Sequence, residues 1–190
     1  MAEPIIDERV ILACQQGDRD AFALLFEGYK DKVFSIAVYS FGGDQTAAGD
    51  VSQQIFLKLM TTISQFRGDS AFTTWLYRMV VNTCIDEQRK RRRFLPFGES
   101  IPMSKLEGRR GPEKHYAKRE VADLVQAAIS ELKPKLRIPI LLKYVEGLSY
   151  EEIAEVLSCS KGTVASRLNR GHQALAKKLS HLRGEVVLGD

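Results

Sequence analysis

Apolar residues recur three and four positions apart along the first half of the chain, the spacing that places side chains on one helix face. This pattern predicts a first helix over residues 6–16 that ends at Gly17, and a second over Arg19–Ser40 that Asp18 caps. The predicted apolar side of the second helix comprises Ala21, Leu24, Leu25, Tyr29, Val33, Ile36 and Ala37.

Two more helices are predicted after a stop at Phe41-Gly-Gly. One spans roughly Asp44–Phe66, and the other reaches from a cap at Ser70 to about Arg93. Their predicted core positions are Val51, Ile55, Leu59 and Ile63, and then Phe72, Trp75, Leu76, Met79 and Val80.

The pattern breaks over residues 95–116, where proline and glycine replace any sustained periodicity and predict a flexible linker. Helical spacing then returns, with Pro134 suited to a first turn. Pro139 should kink or delay its helix, because it lacks a backbone donor. The predicted fold class is all-α: two small helical domains, residues 1–94 and 117–190, joined by that linker.

The C-terminal part has the pattern of a helix-turn-helix. Ser149 and Glu152 form a capping box at the start of one short helix, and a break at residues 158–160 precedes a second helix from Lys161. No carboxylate lies between Val156 and Gly184, so the second helix can approach phosphates without repulsion. The pattern predicts DNA binding.

Charge is distributed unevenly along the chain. Residues 1–88 hold seven Lys and Arg against twelve Asp and Glu, whereas residues 133–183 hold ten against four. Residues 89–93 are all basic. This segregation predicts basic working faces near residue 90 and at the C-terminal end.

Metal, disulfide and membrane chemistry find no support in the residue pattern. The three cysteines are widely spaced, odd in number and lack a C-x-x-C pair, so we expect reduced thiols and a cytoplasmic location. The three histidines have no metal-ligand spacing, and no cofactor is predicted. No apolar run approaches the length of a membrane span, and the start is not a signal peptide.

Several segments, in order, resemble those of bacterial extracytoplasmic-function (group IV) sigma factors of the RpoE-like type. Gly17–Arg93 looks like sigma region 2 and Leu132–Leu179 like region 4. The segments that carry the resemblance are Gly17-Asp-x-x-Ala-Phe22, Asp50-Val-x-Gln53 with Phe56, Phe66-Arg-Gly-Asp-Ser-Ala-Phe-Thr-Thr-Trp-Leu-Tyr-Arg78 with Val81-Asn82, and Gly147-Leu-Ser-Tyr-Glu-Glu-Ile-Ala154 with Gly162-Thr-Val.

The resemblance implies a protein that is not an enzyme but binds core RNA polymerase and directs it to promoters. Region 2 would dock on the clamp helices of the polymerase and open the −10 element. Region 4 would read the −35 element and touch the flap, with the linker replacing a missing region 3. An anti-sigma factor is a further expected partner.

The resemblance also assigns residues. Contacts with the −10 element are implied for Phe66, Ser70, Ala71, Phe72, Thr74, Arg78, Asn82, Arg89 and Lys90. Contacts with the −35 element are implied for Lys161, Thr163, Ser166, Arg167, Asn169 and Arg170, and polymerase binding for Asp50, Gln53, Phe56 and Lys58. Trp75 fits either the hydrophobic core or a pocket for an unstacked base. The basic run at residues 89–93 fits either phosphate contacts or a solvated helix end.

Four positions depart from the family pattern: Gln54 replaces an acid, Ala165 a Lys or Arg, and Gly171-His172 an Ala-Arg pair. The promoter sequence therefore cannot be borrowed from a relative. Two other classes of protein fit the sequence less well. A stand-alone helix-turn-helix regulator would need no loop that captures an unstacked base, the role that the aromatic segment at residues 66–75 fits. A hydrolase using Asp50 or Asp86 would need a nucleophile–base pair that the sequence lacks.

Overall fold

The structure, a computed structural model, describes residues 6–94 and 124–180. Within these ranges the chain divides into two compact units, one of residues 6–37 with 45–94 and one of residues 38–44 with 124–180. Every regular element in these ranges is helical, which confirms the all-α fold class. The predicted linker lies outside the described residues, so the domain boundaries stay a prediction.

The first unit begins with two capped helices. Helix α1 spans Glu8–Gln15, and Asp7 caps it by accepting a hydrogen bond from a backbone N–H of its first turn. Helix α2 spans Arg19–Ser40, the predicted range. Asp18 caps it as predicted, since its Oδ1 accepts hydrogen bonds of 2.9 and 3.0 Å from the N–H groups of Asp20 and Ala21.

Helix α3 spans Gln45–Thr62 and ends four residues before the predicted position, in a 3₁₀ turn at Ile63–Gln65. The hydroxyls of Thr61 and Thr62 donate to the carbonyl of Lys58 at 2.9 and 2.7 Å. Such back-bonding competes with the helical ladder, and it accounts for the early end.

Helix α4 spans Phe72–Phe94 and begins later than a cap at Ser70 would place it. The carbonyl of Ala71 accepts the first helical bond, from Trp75, at 3.1 Å, so Ala71 takes the capping position instead. The predicted core of this unit is confirmed with two exceptions, because the side chain of Leu24 is 54% exposed and that of Trp75 is half-buried. Its largest fully buried side chains are Leu25, Val33, Ile36, Val51, Ile55, Leu59, Leu76 and Val80.

The second unit is built from four helices. Residues 124–130 are helical (α5), followed by α6 at Pro134–Tyr144, α7 at Tyr150–Val156 and α8 at Lys161–Lys178. Its most deeply buried side chains are Leu141, Leu142, Ile153, Val164 and Leu168.

The two prolines of α6 behave differently from each other. Pro134 lies in the first turn, as predicted. Pro139 does not delay the helix, since α6 begins at Pro134 and includes Pro139. The lost donor would have served the carbonyl of Lys135, an exposed residue of the first turn where water can take its place.

Candidate nucleic-acid and partner interfaces

A second apolar stripe on α2 and α3 is not covered by the core of the first unit. The two helices form an open groove of about 450 Å³, here called the α2–α3 groove. Leu57 and Met60 are each 55% exposed, and Phe26 and Phe34 each 38%. The apolar lining of the groove is Phe22, Phe26, Phe34, Phe56, Leu57 and Met60.

Exposed apolar surface of this kind marks a site where another molecule binds. Gln53 supplies a polar group in the lining, and Lys30 and Asp31 add a charge of each sign. Sequence reasoning missed the α2 side of the groove. The available signal was Phe22 and Phe26, one turn apart and each displaced by one position from the core stripe.

The residues predicted to bind polymerase fall in two sets. Gln53 and Phe56 line the groove, where Phe56 is only 7% exposed and packs edge to face with Phe26 at 4.7 Å between ring centroids. Asp50 and Lys58 are exposed on α3 but lie outside the lining. Gln54, the departure from the family pattern, is also exposed.

The segment between the 3₁₀ turn and α4, residues 66–71, is here called the capture loop. The ring of Phe66 is half-buried and lies 5.4 Å from the ring of Phe72 and 5.6 Å from that of Trp75, between centroids. Ser70 is half-buried and Ala71 exposed. Phe66, Ser70 and Ala71 are therefore accessible together at one place.

Two aromatic residues, Phe72 and Trp75, pack against the first residue of the capture loop. Phe72 is 7% exposed and packs against Tyr29 at 5.9 Å between ring centroids, so it lies beneath the loop and does not form its surface. Trp75 is half-buried, with its ring in contact with both Phe66 and Phe72. Trp75 therefore lies at the edge of the core and also contacts the first residue of the capture loop. This position is compatible with both interpretations of Trp75, as a core residue and as part of a base pocket.

The residues of α4 that the resemblance assigns to the −10 element are only partly exposed. Thr74 is 3% exposed, which contradicts its predicted place on the DNA-facing side. It shares a helix face with Tyr77 and Val81, each also 3% exposed, because residues three and seven positions apart lie on the same side of a helix. Arg78 is half-buried, and Asn82 is exposed.

The basic run at the end of α4 is partly neutralised by acids one turn earlier. Arg89 lies 3.6 Å from Asp86, and Lys90 lies 3.4 Å from Glu87, measured between the charged atoms. Pairs this exposed contribute little to stability and exchange readily, so both cations can still meet a phosphate.

The predicted helix-turn-helix is present in α7 and α8. Both halves of the capping box between Ser149 and Glu152 are formed, which confirms that prediction. Hydrogen bonding to Ser149 lowers the pKa of the Glu152 carboxyl. Ser158 adopts a positive φ of 48° in the turn. Ser160 then caps α8 by accepting from the N–H of Thr163 at 3.2 Å.

Four of the six predicted −35 residues come together on one face of α8, here called the reading face. Ser166, Asn169 and Arg170 are exposed, and Thr163 is half-buried. Their spacing of three and four positions places them on one side of the helix. Thr163 also shares a 2.9 Å hydrogen bond with the hydroxyl of Ser160, so it contributes to the cap as well.

The other two predicted residues lie to either side of the reading face and have protein partners. Lys161 forms an ion pair with Glu151 of α7, and this hydrogen bond lowers the pKa of the Glu151 carboxyl. Arg167 is half-buried and donates to the sulfur of Cys159 at 3.9 Å. Contacts of these two side chains with DNA would compete with their present partners.

The Gly171-His172 departure serves the packing of α8 on α6. A Cβ at position 171 would lie 3.1 Å from Cγ1 of Ile140, so a larger residue there would force Ile140 to shift. The next residue, His172, shares a 2.8 Å hydrogen bond between Nε2 and the hydroxyl of Tyr144. Both residues that depart from the family pattern therefore lie against α6. Ala165 is half-buried on α8.

Within residues 6–94 and 124–180, no cluster of three or more His, Cys, Asp or Glu side chains could hold a metal ion. In the same ranges, no helix has the length and apolar character needed to span a membrane. The charged and apolar surfaces described above are therefore the candidate sites in this part of the chain.

Two family models match the chain, one in each unit. The model of sigma-70 region 2 matches residues 25–94, and that of sigma-70 region 4 matches residues 122–175. Among curated relatives, the RNA polymerase sigma-H factor of Pseudomonas aeruginosa is 36% identical, over 95% of this chain and 97% of the relative. The ECF RNA polymerase sigma-E factor of Escherichia coli K12 is also 36% identical, over 96% and 98%.

Solved structures show the same fold. The structure of CnrH in complex with the cytosolic domain of CnrY is similar with a TM-score of 0.67 and 26% identity, over 93% of this chain and 98% of that chain. The Bartonella quintana sigma factor RpoE, crystallised with the anti-sigma factor NepR, has a TM-score of 0.65 and 23% identity, over 84% and 96%.

Proposed function

This chain belongs to the extracytoplasmic-function group of sigma-70 factors, and from that premise we propose how its described surfaces divide the work of initiation. Proteins of this family are not enzymes; they bind core RNA polymerase and promoter DNA and set where transcription starts. The stand-alone regulator receives no support, because the matched family models and relatives are sigma factors. We place the protein's action in the cytoplasm.

In this proposal the capture loop and the exposed part of α4 open the −10 element. A base leaving the duplex needs a stacking surface and hydrogen bonds to its edge. The half-buried ring of Phe66 offers the first, and the side chains of Ser70 and Asn82 offer the second. Arg89 and Lys90 add charge that positions the backbone without reading its sequence.

The reading face enters the major groove at the −35 element. Asn169 and Arg170 are exposed there and carry the donors that pair with purine edges. The absence of carboxylates on α8 supports this placement. Lys161 and Arg167, at the flanks, exchange Glu151 and Cys159 for phosphates on binding.

The single observation that carries the polymerase role is the α2–α3 groove, because nothing in the first unit covers its exposed apolar lining. An amphipathic helix fits such a groove, and the polymerase clamp helices are the proposed occupant. An anti-sigma factor competing for the same lining would hold the protein inactive. The complex of CnrH with the cytosolic domain of CnrY supports a protein partner of this kind of chain.

Two leucines of equal exposure test the groove. Leu57 lines it and is 55% exposed, whereas Leu24 of α2 is 54% exposed and lies outside the lining. We expect Leu57→Glu to weaken binding to core polymerase about tenfold, as for an apolar contact at the centre of an interface, and Leu24→Glu to leave it unchanged. Equal effects of the two variants in a titration of labelled core polymerase would contradict the docking role.

A further inference from the structure

The last residue of α1 reaches across the first unit to the start of the capture loop. The half-buried side-chain amide of Gln15 donates two hydrogen bonds from its single nitrogen, Nε2. One goes to the carbonyl of Ile63 at 3.1 Å, and the other to the carbonyl of Phe66 at 2.7 Å. These acceptors lie 48 and 51 positions away in the sequence.

The two carbonyls lie where the chain leaves helical geometry. Ile63 begins the 3₁₀ turn, and its carbonyl also accepts the N–H of Phe66 at 3.1 Å. Phe66 itself is extended, with φ −68° and ψ 117°. Helix ends leave carbonyls without partners in the ladder, so a side chain from elsewhere must supply the donors. A primary amide suits this place because it offers two N–H groups and no charge.

The hydrogen bond from Gln15 to the carbonyl of Phe66 constrains more than that carbonyl group. Holding that peptide restricts the backbone of Phe66, and with it the direction of the ring that lies against Phe72 and Trp75. The loop that follows then leaves this point in one direction. A site that captures a base depends on such preorganisation, since ordering the loop during capture would weaken binding.

We propose that Gln15 is a positioning residue for the −10 element: it sets the backbone of Phe66 so that the capture loop is ready to receive an unstacked base. This inference rests on the proposed role of that loop. Gln15 itself does not touch the base. Its loss should therefore weaken base capture and blur the choice of base, while polymerase docking and −35 reading stay as they are.

The neighbouring residue provides a matched control. Gln16 is exposed, whereas Gln15 is half-buried. Gln15→Glu keeps the shape but sets a carboxylate against two carbonyls, and Gln16→Glu makes the same change in solvent. Gln15→Met, neutral and without donors, serves if Gln15→Glu fails to fold. Gln15→Lys restores a donor at this place.

The test uses holoenzyme assembled from core polymerase and the full chain, with single-stranded −10 DNA taken from a promoter that this protein starts. We expect Gln15→Glu or Gln15→Met to lower affinity about tenfold, the effect of losing two ordinary hydrogen bonds. The preference for the correct base should flatten, and Gln15→Lys should recover part of it. Gln16→Glu should match wild type.

The outcomes separate this inference from the proposed function. If wild-type holoenzyme binds the −10 strand with base preference and the Gln15 variants match Gln16→Glu, the positioning role is wrong. It is also wrong if the Gln15 variants lose −35 duplex binding and polymerase binding to the same degree, because that pattern reports general unfolding. If wild-type holoenzyme shows no preference on the −10 strand, the role of the capture loop fails first.

Discussion

The capture loop is irregular backbone held by one distant side chain, Gln15, and by two aromatic rings that follow it in sequence, whereas the reading face belongs to a regular helix whose first turn is capped locally. Gln15 and the rings of Phe72 and Trp75 support the loop. The cap at Ser160, three residues before Thr163, supports the start of α8. The two surfaces are both proposed to meet promoter DNA.

The difference follows from what each surface has to bind. A duplex presents its base edges in a groove wide enough for a helix, so a rigid, regular element is sufficient. A base that leaves the stack needs a concave pocket, which regular helices do not provide. The chain therefore keeps α8 regular and places an irregular connection between Gln65 and Phe72.

Substitution of two exposed asparagines, Asn82 of α4 and Asn169 of the reading face, tests most directly whether the two regions have different roles. We expect Asn82→Ala to slow formation of the open complex by about 10- to 100-fold, the loss of a hydrogen-bonded contact to a base, with polymerase binding unchanged. Asn169→Ala should instead weaken binding to duplex −35 DNA and spare melting on a template already open at −10. Permanganate reactivity of the −10 thymines and duplex affinity measure the two effects. Equal loss of melting and polymerase binding in Asn82→Ala would count against its role.

Within α8, a second pair separates sequence reading from attraction to phosphate. Arg170 and Lys177 are both exposed and lie on the same side of the helix, two turns apart. Arg170→Ala should cost about 1–3 kcal/mol of discrimination at one base pair. Lys177→Ala should weaken all sequences alike and reduce the salt slope of binding by about one. Competition assays over single-base variants of the −35 element check both, and an Arg170→Ala protein with unchanged preference would overturn the reading role.

Two helical glycines test how closely each region is packed. A Cβ at Gly171 would meet Ile140 Cγ1 at 3.1 Å. A Cβ at Gly49 of α3 would meet no atom within 4 Å apart from its chain neighbours and the backbone of its own helix. Gly171→Val should therefore destabilise the protein by about 1–3 kcal/mol through overpacking. Gly49→Ala should stabilise it by about 0.5–1 kcal/mol, because alanine loses less entropy in a helix. Urea denaturation measures both; a neutral Gly171→Val would mean that α6 and α8 can separate at little cost.

Much of this molecule could be predicted from local patterns. The cap at Asp18, the capping box at Ser149 and the bounds of α2 all depend on residues close in sequence. For the same reason, four of the predicted −35 residues share a face, because helical spacing fixes their side.

The sequence-based predictions fail where contacts with residues distant in sequence determine the position of a side chain. The resemblance assigns Thr74 to the −10 element, but its side chain is buried on the same helix face as Tyr77. The departure at Gly171 could be noticed in the sequence, yet its reason, the contact with Ile140, exists only in the fold. The hydrogen bonds of Gln15 likewise join segments that no local pattern relates, whereas the spacing of Phe22 and Phe26 is a local signal for the α2 side of the groove.

The most direct test of initiation by this protein is to map transcription starts on fragmented DNA of its own genome, using purified core polymerase with and without the chain. We expect new transcripts from discrete sites that share a −35 and a −10 element, and their loss with Asn82→Ala. An absence of new starts, alongside binding of the free protein to duplex DNA, would contradict the account and favour a regulator that acts alone.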